Sequence, residues 1–240
     1  APLILNGDND KLVTVREPDY KLVFFGIENP NVDFRAKDIE EKNGFTSFTV
    51  EFYGASQRVT VPTVGIHNVY DALAAFAVGY EMRMEPQKIA AGLKSFVPSG
   101  MRQRIKKVGG ITVIEDCYNA SPDSQKAALD VLSSFKSNRR IAVLGDMLEL
   151  GKYSDVSHEN VGKYTENKNI DILFTYGAKA KHIAEGAKGF VDEIKSFDDK
   201  TELVKALLET LKDGDAVLFK ASRGMKLEDV INSLYREWEE

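Results

Sequence analysis

One cysteine, three histidines and one tryptophan are all that 240 residues hold of those types, so chemistry that depends on them has few places to reside. The lone Cys117 excludes an intrachain disulfide and suits a reducing cytoplasm. Because Asp116 precedes it and a neighbouring carboxylate disfavours a thiolate, Cys117 reads as a packing residue rather than a nucleophile. His67, His158 and His182 stand far apart, so metal-ligand spacing is missing and no metal site is expected in this chain alone. No apolar run reaches membrane-spanning length and no signal-peptide pattern opens the chain, which predicts a soluble protein without membrane insertion. Phosphate-gripping loops are also lacking. Neither G-x-x-x-x-G-K-[ST] nor a strand followed by G-x-G-x-x-G occurs, which counts against a P-loop within these residues and against a dinucleotide oxidoreductase. The formal net charge of -5 argues against a basic nucleic-acid-binding surface.

What the chain does contain is a set of apolar runs that end in polar clusters. Ile111 to Asp123 reads ITVIEDCYNASPD: a β-branched run stops at Glu115, Asp116, Tyr118 and Asn119, and Ser121-Pro122 then opens a helix. Three later runs end alike. Ile141 to Leu144 leads into Gly145, Asp146, Met147 and Glu149, Ile172 to Thr175 into Tyr176 and Gly177, and Ala216 to Phe219 into Lys220, Ser222 and Arg223. Helix-period segments lie between and after them, at 124 to 135, 156 to 168, 179 to 188, 201 to 211 and 225 to 238. This alternation predicts an α/β fold with a doubly wound, parallel, Rossmann-like sheet, whose strand tips share one edge where ligands bind.

The first hundred residues are organised differently. Short strands at 3 to 5, 22 to 25, 33 to 40, 44 to 53 and 57 to 61, with turn chemistry at Asn29-Pro30, Asn43-Gly44 and Gly54, predict a mostly antiparallel front half. Two helices follow, at 67 to 82 and 86 to 96. The break at Val97-Pro98-Ser99-Gly100 then divides the chain into residues 1–98 and 99–240. Gly109-Gly110 reads as a hairpin turn before the strand at 111.

Five stretches resemble the Mur ligase family. Gly65-Ile66-His67-Asn68-Val69-Tyr70-Asp71-Ala72-Leu73-Ala74-Ala75 is similar to its G-x-HNxxNALAA helix start, and Ser99-Gly100-Met101-Arg102 to the arginine at the entrance of its C-terminal domain. Asp116 to Pro122 resembles DxYNANP, Gly145 to Gly151 resembles GDMxELG, and Lys220-Ala221-Ser222-Arg223 resembles KGSR. The last three narrow the resemblance to the branch that adds D-alanyl-D-alanine.

That resemblance implies residues 1–98 to be the β-rich and helical tail of an ATPase-like central domain, and 99–240 a complete C-terminal domain. It implies a ligase that uses ATP and Mg2+ to activate the peptide carboxylate of UDP-N-acetylmuramoyl-tripeptide as an acyl phosphate. The amine of D-alanyl-D-alanine then attacks, in the cytoplasm of a bacterium that builds peptidoglycan. The P-loop and the Mg2+ ligands are not in this chain, which is therefore expected to be an inactive C-terminal fragment. A non-catalytic nucleotide- or dipeptide-binding module using the same crevice is the alternative.

Residue by residue, the resemblance implies nucleotide binding by His67, Asn68 and Asp71 at adenine, by Arg102 near ribose and phosphates, and by Asp116, Tyr118 and Asn119. Asp116 is expected to face solvent and accept from ribose hydroxyls. Asp146 and Glu149 would orient the D-alanyl-D-alanine ammonium, and Lys220, Ser222 and Arg223 would hold its carboxylate. Plainer readings stand beside these: His67 as a helix cap, Arg102 as one solvated charge in a run with Arg104, Lys106 and Lys107, and Ser222 as the cap of the next helix. Three positions depart from the family pattern. Asp71 replaces an adenine-binding asparagine, Glu115 stands where Asp or Asn is usual, and Ala221 replaces the KGSR glycine, which would be strained if that position needs positive φ.

Overall fold

The computed structural model describes residues 1–42, 44–97 and 100–239, so the turn residue Asn43 and the boundary residues Pro98 and Ser99 lie outside the described residues. The chain forms two compact units, Ala1–Val97 and Pro98–Glu240.

In the first unit, β1 (Leu3–Asn6), β2 (Leu22–Gly26), β3 (Phe34–Lys42), β4 (Phe45–Phe52) and β5 (Ala55–Val61) lie side by side in chain order. The antiparallel expectation holds only for β3, β4 and β5; β1, β2 and β3 pair in parallel. The reason lies in the links. Residues 7–21 are long enough for a crossover, and β3 starts where β2 ends, sharing only the pairs Phe25 with Phe34 and Gly26 with Arg35. Helices α1 (Ile66–Glu81) and α2 (Pro86–Lys94) complete the unit, and Val69, Leu73, Phe76 and Ile89 form one core with Val23, Phe34, Phe48 and Val50.

The second unit holds β6 (Arg104–Val108), β7 (Ile111–Glu115), α3 (Pro122–Ser134), β8 (Arg140–Gly145), α4 (Ser154–Lys163), β9 (Ile172–Tyr176), α5 (Lys181–Gly186), β10 (Glu193–Phe197), α6 (Lys200–Thr210), β11 (Ala216–Lys220) and α7 (Glu228–Glu239). Its sheet runs β10-β9-β8-β11-β7-β6, parallel except for the β6–β7 hairpin. Both faces are covered. Val113, Val143 and Val217 share one core with Leu203 and Leu207 of α6 and with Val230, Ile231 and Leu234 of α7, while the alternate residues Ile114, Leu144 and Leu218 are buried as well.

Two strands of this sheet carry no clear mark in the sequence. β6 and β10 lie at its edges and are charged, with Arg104, Lys106 and Lys107 in one and Glu193 and Lys195 in the other, as exposed edges commonly are. The hairpin turn at Gly109-Gly110 is as expected, with φ of 54° and 75°. Because β7, β11 and β8 are neighbours and parallel, the loops that follow them emerge side by side.

Candidate functional site at the strand ends

The three neighbouring loops are tied to one another. Lys220, at the end of β11 and 2% exposed, sets its ammonium 2.7 Å from Asp116 Oδ2 and 3.2 Å from the Asn119 carbonyl, both beyond β7. The Gln103 amide donates to Asp116 Oδ1 at 3.2 Å. Asp116 is less exposed than expected from the sequence: its carboxylate neutralises a buried cation, and its side chain is only 18% exposed.

Ser222 and Asp146 are engaged in the same way. Ser222 N donates to the Asp146 carbonyl at 3.0 Å, and Ser222 Oγ accepts from Leu148 N at 2.9 Å, which joins the β11 loop to the β8 loop. Ser222 makes no side-chain cap on the short helical turn after it, so the capping alternative does not hold. Asp146 Oδ1 accepts from Ala180 N at 2.6 Å beyond β9. Gly177 has to be glycine there, since its φ is 111° and a Cβ would lie 2.5 Å from Asp146 Oδ1. Ala221 is wholly buried and is not among the described residues with positive φ, so alanine is accommodated without backbone strain.

What remains at the surface is a smaller set. Tyr118 is 42% exposed, with the Arg102 guanidinium 4.1 Å and the Arg223 guanidinium 5.8 Å from its ring centre. Arg223 also pairs with Glu228 at 3.2 Å. Asn119, next to Tyr118 in sequence, and Glu149, in the loop after β8, are exposed too, Glu149 at a φ of 66°. Residues assigned from the sequence to nucleotide (Arg102, Tyr118) and to acceptor (Arg223) thus meet at one aromatic ring. The basic run after Arg102 divides: Lys106 lies 3.0 Å and Arg104 4.0 Å from buried Glu115, which also accepts from Tyr235, so these charges are structural. Cys117 is buried and its thiol is pushed up to about 12, chiefly by burial, which leaves it inert.

In the first unit, His67 and Asn68 lie in the first turn of α1. Asn68 Nδ2 donates to the Val64 carbonyl at 2.7 Å and lies 3.1 Å from His67 Nε2. Gly65 is the N-cap, and its amide donates to Glu41 Oε1 at 2.7 Å, so His67, two positions further on, is not the N-cap. Asp71 is exposed one turn on. A cavity of about 580 Å³ in this unit is lined by Arg35, Lys37, Glu51 and Tyr53, but by none of the motif residues.

Gln125 and His158 are among the buried polar residues that escaped the sequence reading. Gln125 donates to the Gly145 carbonyl at 2.9 Å, and its place in the stripe Gln125, Ala128, Leu129, Leu132 is the signal that marks it as inward-facing. His158 accepts from Met147 N at 2.9 Å, a contact that no local pattern announces.

Residues 101–223 match the Mur ligase, glutamate ligase domain, and residues 1–79 the Mur ligase middle domain. The chain is 38% identical over 236 residues to UDP-N-acetylmuramoyl-tripeptide--D-alanyl-D-alanine ligase of Bacillus subtilis, covering 97% of this chain and 50% of that protein. This chain belongs to the Mur ligase family. Among solved structures, MurF of Acinetobacter baumannii superposes with a TM-score of 0.86 at 26% identity, over 97% of this chain and 51% of that one. MurF ligase of Thermotoga maritima in complex with ADP gives 0.85 at 26% identity, over 100% and 54%. This Mur ligase chain spans about half the length of the curated relatives it matches.

Proposed function

We propose that the chain is the acceptor-side and adenosine-side part of an ATP-dependent ligase that adds D-alanyl-D-alanine to UDP-N-acetylmuramoyl-tripeptide in the bacterial cytoplasm. The observation that carries this reading is the convergence of Arg102 and Arg223 on Tyr118, at the tips of parallel strands whose loops are already locked together. Planar guanidinium groups suit phosphate or carboxylate oxygens, and fixed loops keep them placed without reorganisation. In this reading Arg102, Tyr118 and Asn119 of the second unit face the nucleotide. Glu149 and Arg223 face the ammonium and carboxylate of D-alanyl-D-alanine. Asp116, Asp146, Lys220 and Ser222 hold the loops that present them.

Among the described residues no three His, Cys, Asp or Glu side chains converge on a metal position, and no step of this reading runs through Mg2+. No described helix is long and apolar enough to cross a membrane. In a full-length ligase carrying this sequence, Arg223→Ala is expected to raise the KM for D-alanyl-D-alanine about ten- to hundredfold, the worth of a charge-assisted hydrogen bond, with the KM for ATP little changed. An unchanged KM for the dipeptide would contradict the assignment. The 240-residue chain alone, lacking a P-loop sequence, is expected to release no phosphate from ATP above a buffer blank.

A further inference from the structure

Packed against the strand-end loops is a buried titratable group to which ligand binding gives no task. His158, on α4, is completely buried; its Nε2 lies 2.9 Å from Met147 N and its Nδ1 2.7 Å from the Ser154 carbonyl. An amide can only donate and a carbonyl can only accept, so the ring is neutral with its proton on Nδ1. The loop it grips is the one that ends in Glu149. Asp146 and Leu148 are held by Ala180 and Ser222, and His158 supplies the remaining tie, at Met147.

We propose that His158 is a positioning residue for the acceptor site: its neutral ring fixes Met147 and so sets Glu149 toward the ammonium of D-alanyl-D-alanine. The inference rests on the acceptor reading given above. Burial is the largest influence on the ring and holds the imidazole below its ordinary value of 6.5. The Ser154 carbonyl, Asp146 at the end of β8 and Asp155 on the same helix favour the imidazolium, and His182 of α5 opposes it. Protonation would turn Nε2 from acceptor to donor and set it against the Met147 N–H.

Two variants test this in the full-length ligase. His158→Gln can keep an acceptor near the Nε2 position without titrating, whereas His158→Phe fills the space without one. The Phe variant is expected to raise the KM for D-alanyl-D-alanine about tenfold, the effect of one lost hydrogen bond, while leaving the KM for ATP within about twofold. The Gln variant is expected to restore the dipeptide KM and to lose the acid limb of kcat/KM. If the Phe variant does not fold, the Gln pH profile decides alone. An acid limb retained in the Gln variant, or a Phe variant whose melting temperature falls while its dipeptide KM stays unchanged, overturns the proposal. Should the parent enzyme not use D-alanyl-D-alanine at all, the acceptor reading fails instead. The linkage itself is then read in the 240-residue chain by NMR: the Met147 and Glu149 amide signals should follow His158 titration, and their indifference to it would refute the linkage.

Discussion

Asp8 and Asp116 occupy similar places, each just beyond a parallel strand, yet the two carboxylates are satisfied in different ways. Asp8 accepts from the amides of Ile27, Glu28 and Asn29 and from the Tyr70 hydroxyl, so neutral donors from its own unit surround it. Asp116 instead shares its charge with Lys220, a cation 2% exposed, and takes one amide from Gln103. Both carboxylates join separate segments, Asp8 through neutral donors from the loop after β2 and from α1, Asp116 through an ion pair with the end of β11. The ion pair adds to the backbone ladder that aligns the β7 and β11 tips, in which Asp116 N donates to the Phe219 carbonyl at 2.9 Å.

The comparison is broken most severely at Asp116. Asp116→Ala strands the Lys220 ammonium in the interior and is expected to cost about 3–5 kcal/mol in denaturant unfolding, with Asp116→Ala/Lys220→Met recovering most of it. Equal stability of the single and double variants would show that the pair does not couple the loops. Asp8→Asn keeps an acceptor but loses the charge, and a smaller loss of about 1–3 kcal/mol is expected.

Acid separates the two kinds of site more finely. Burial is the largest single influence on the Asp8 carboxyl and raises it, but the amide and hydroxyl donors together hold it below its ordinary 3.8. The folded chain therefore keeps this carboxylate ionised where the unfolded chain already takes up a proton. Its stability contribution is present above 3.8 and lost as the pH falls from there toward the folded value. His158, held below 6.5 by burial, loses its contribution earlier, as the pH falls below 6.5, because the unfolded chain binds the proton first. Melting temperatures followed from about pH 7 to 5 should fall less in His158→Gln than in the parent, whereas Asp8→Asn should lie below the parent by a constant amount above about pH 4 and converge on it at lower pH. Parallel curves for all three proteins would refute both assignments.

The central strands of the second unit were legible in the sequence because β7, β8, β9 and β11 are apolar runs separated by helix-period segments. Hidden from it were β6 and β10, whose charged edge positions mask the strand pattern, and the parallel pairing of β1, β2 and β3, which only a single short 3-10 turn at Leu12–Thr14 accompanies. At the site, the polar tips were legible but their allegiance was not. Asp116, Asp146, Lys220 and Ser222 look like ligand contacts in isolation, and their partners come from other strand ends far along the chain. Only packing shows that these four bond from loop to loop, while Arg102, Tyr118, Glu149 and Arg223 are exposed.

The most direct measurement is chemical-shift mapping on the isotope-labelled 240-residue chain, titrated separately with ATP and with D-alanyl-D-alanine. The account predicts weak binding, with ATP moving signals at Arg102, Tyr118 and Asn119 and the dipeptide moving those at Glu149 and Arg223. Shifts confined to other residues, or none at millimolar concentrations of either compound, would contradict the claim that these strand ends form the ligand site.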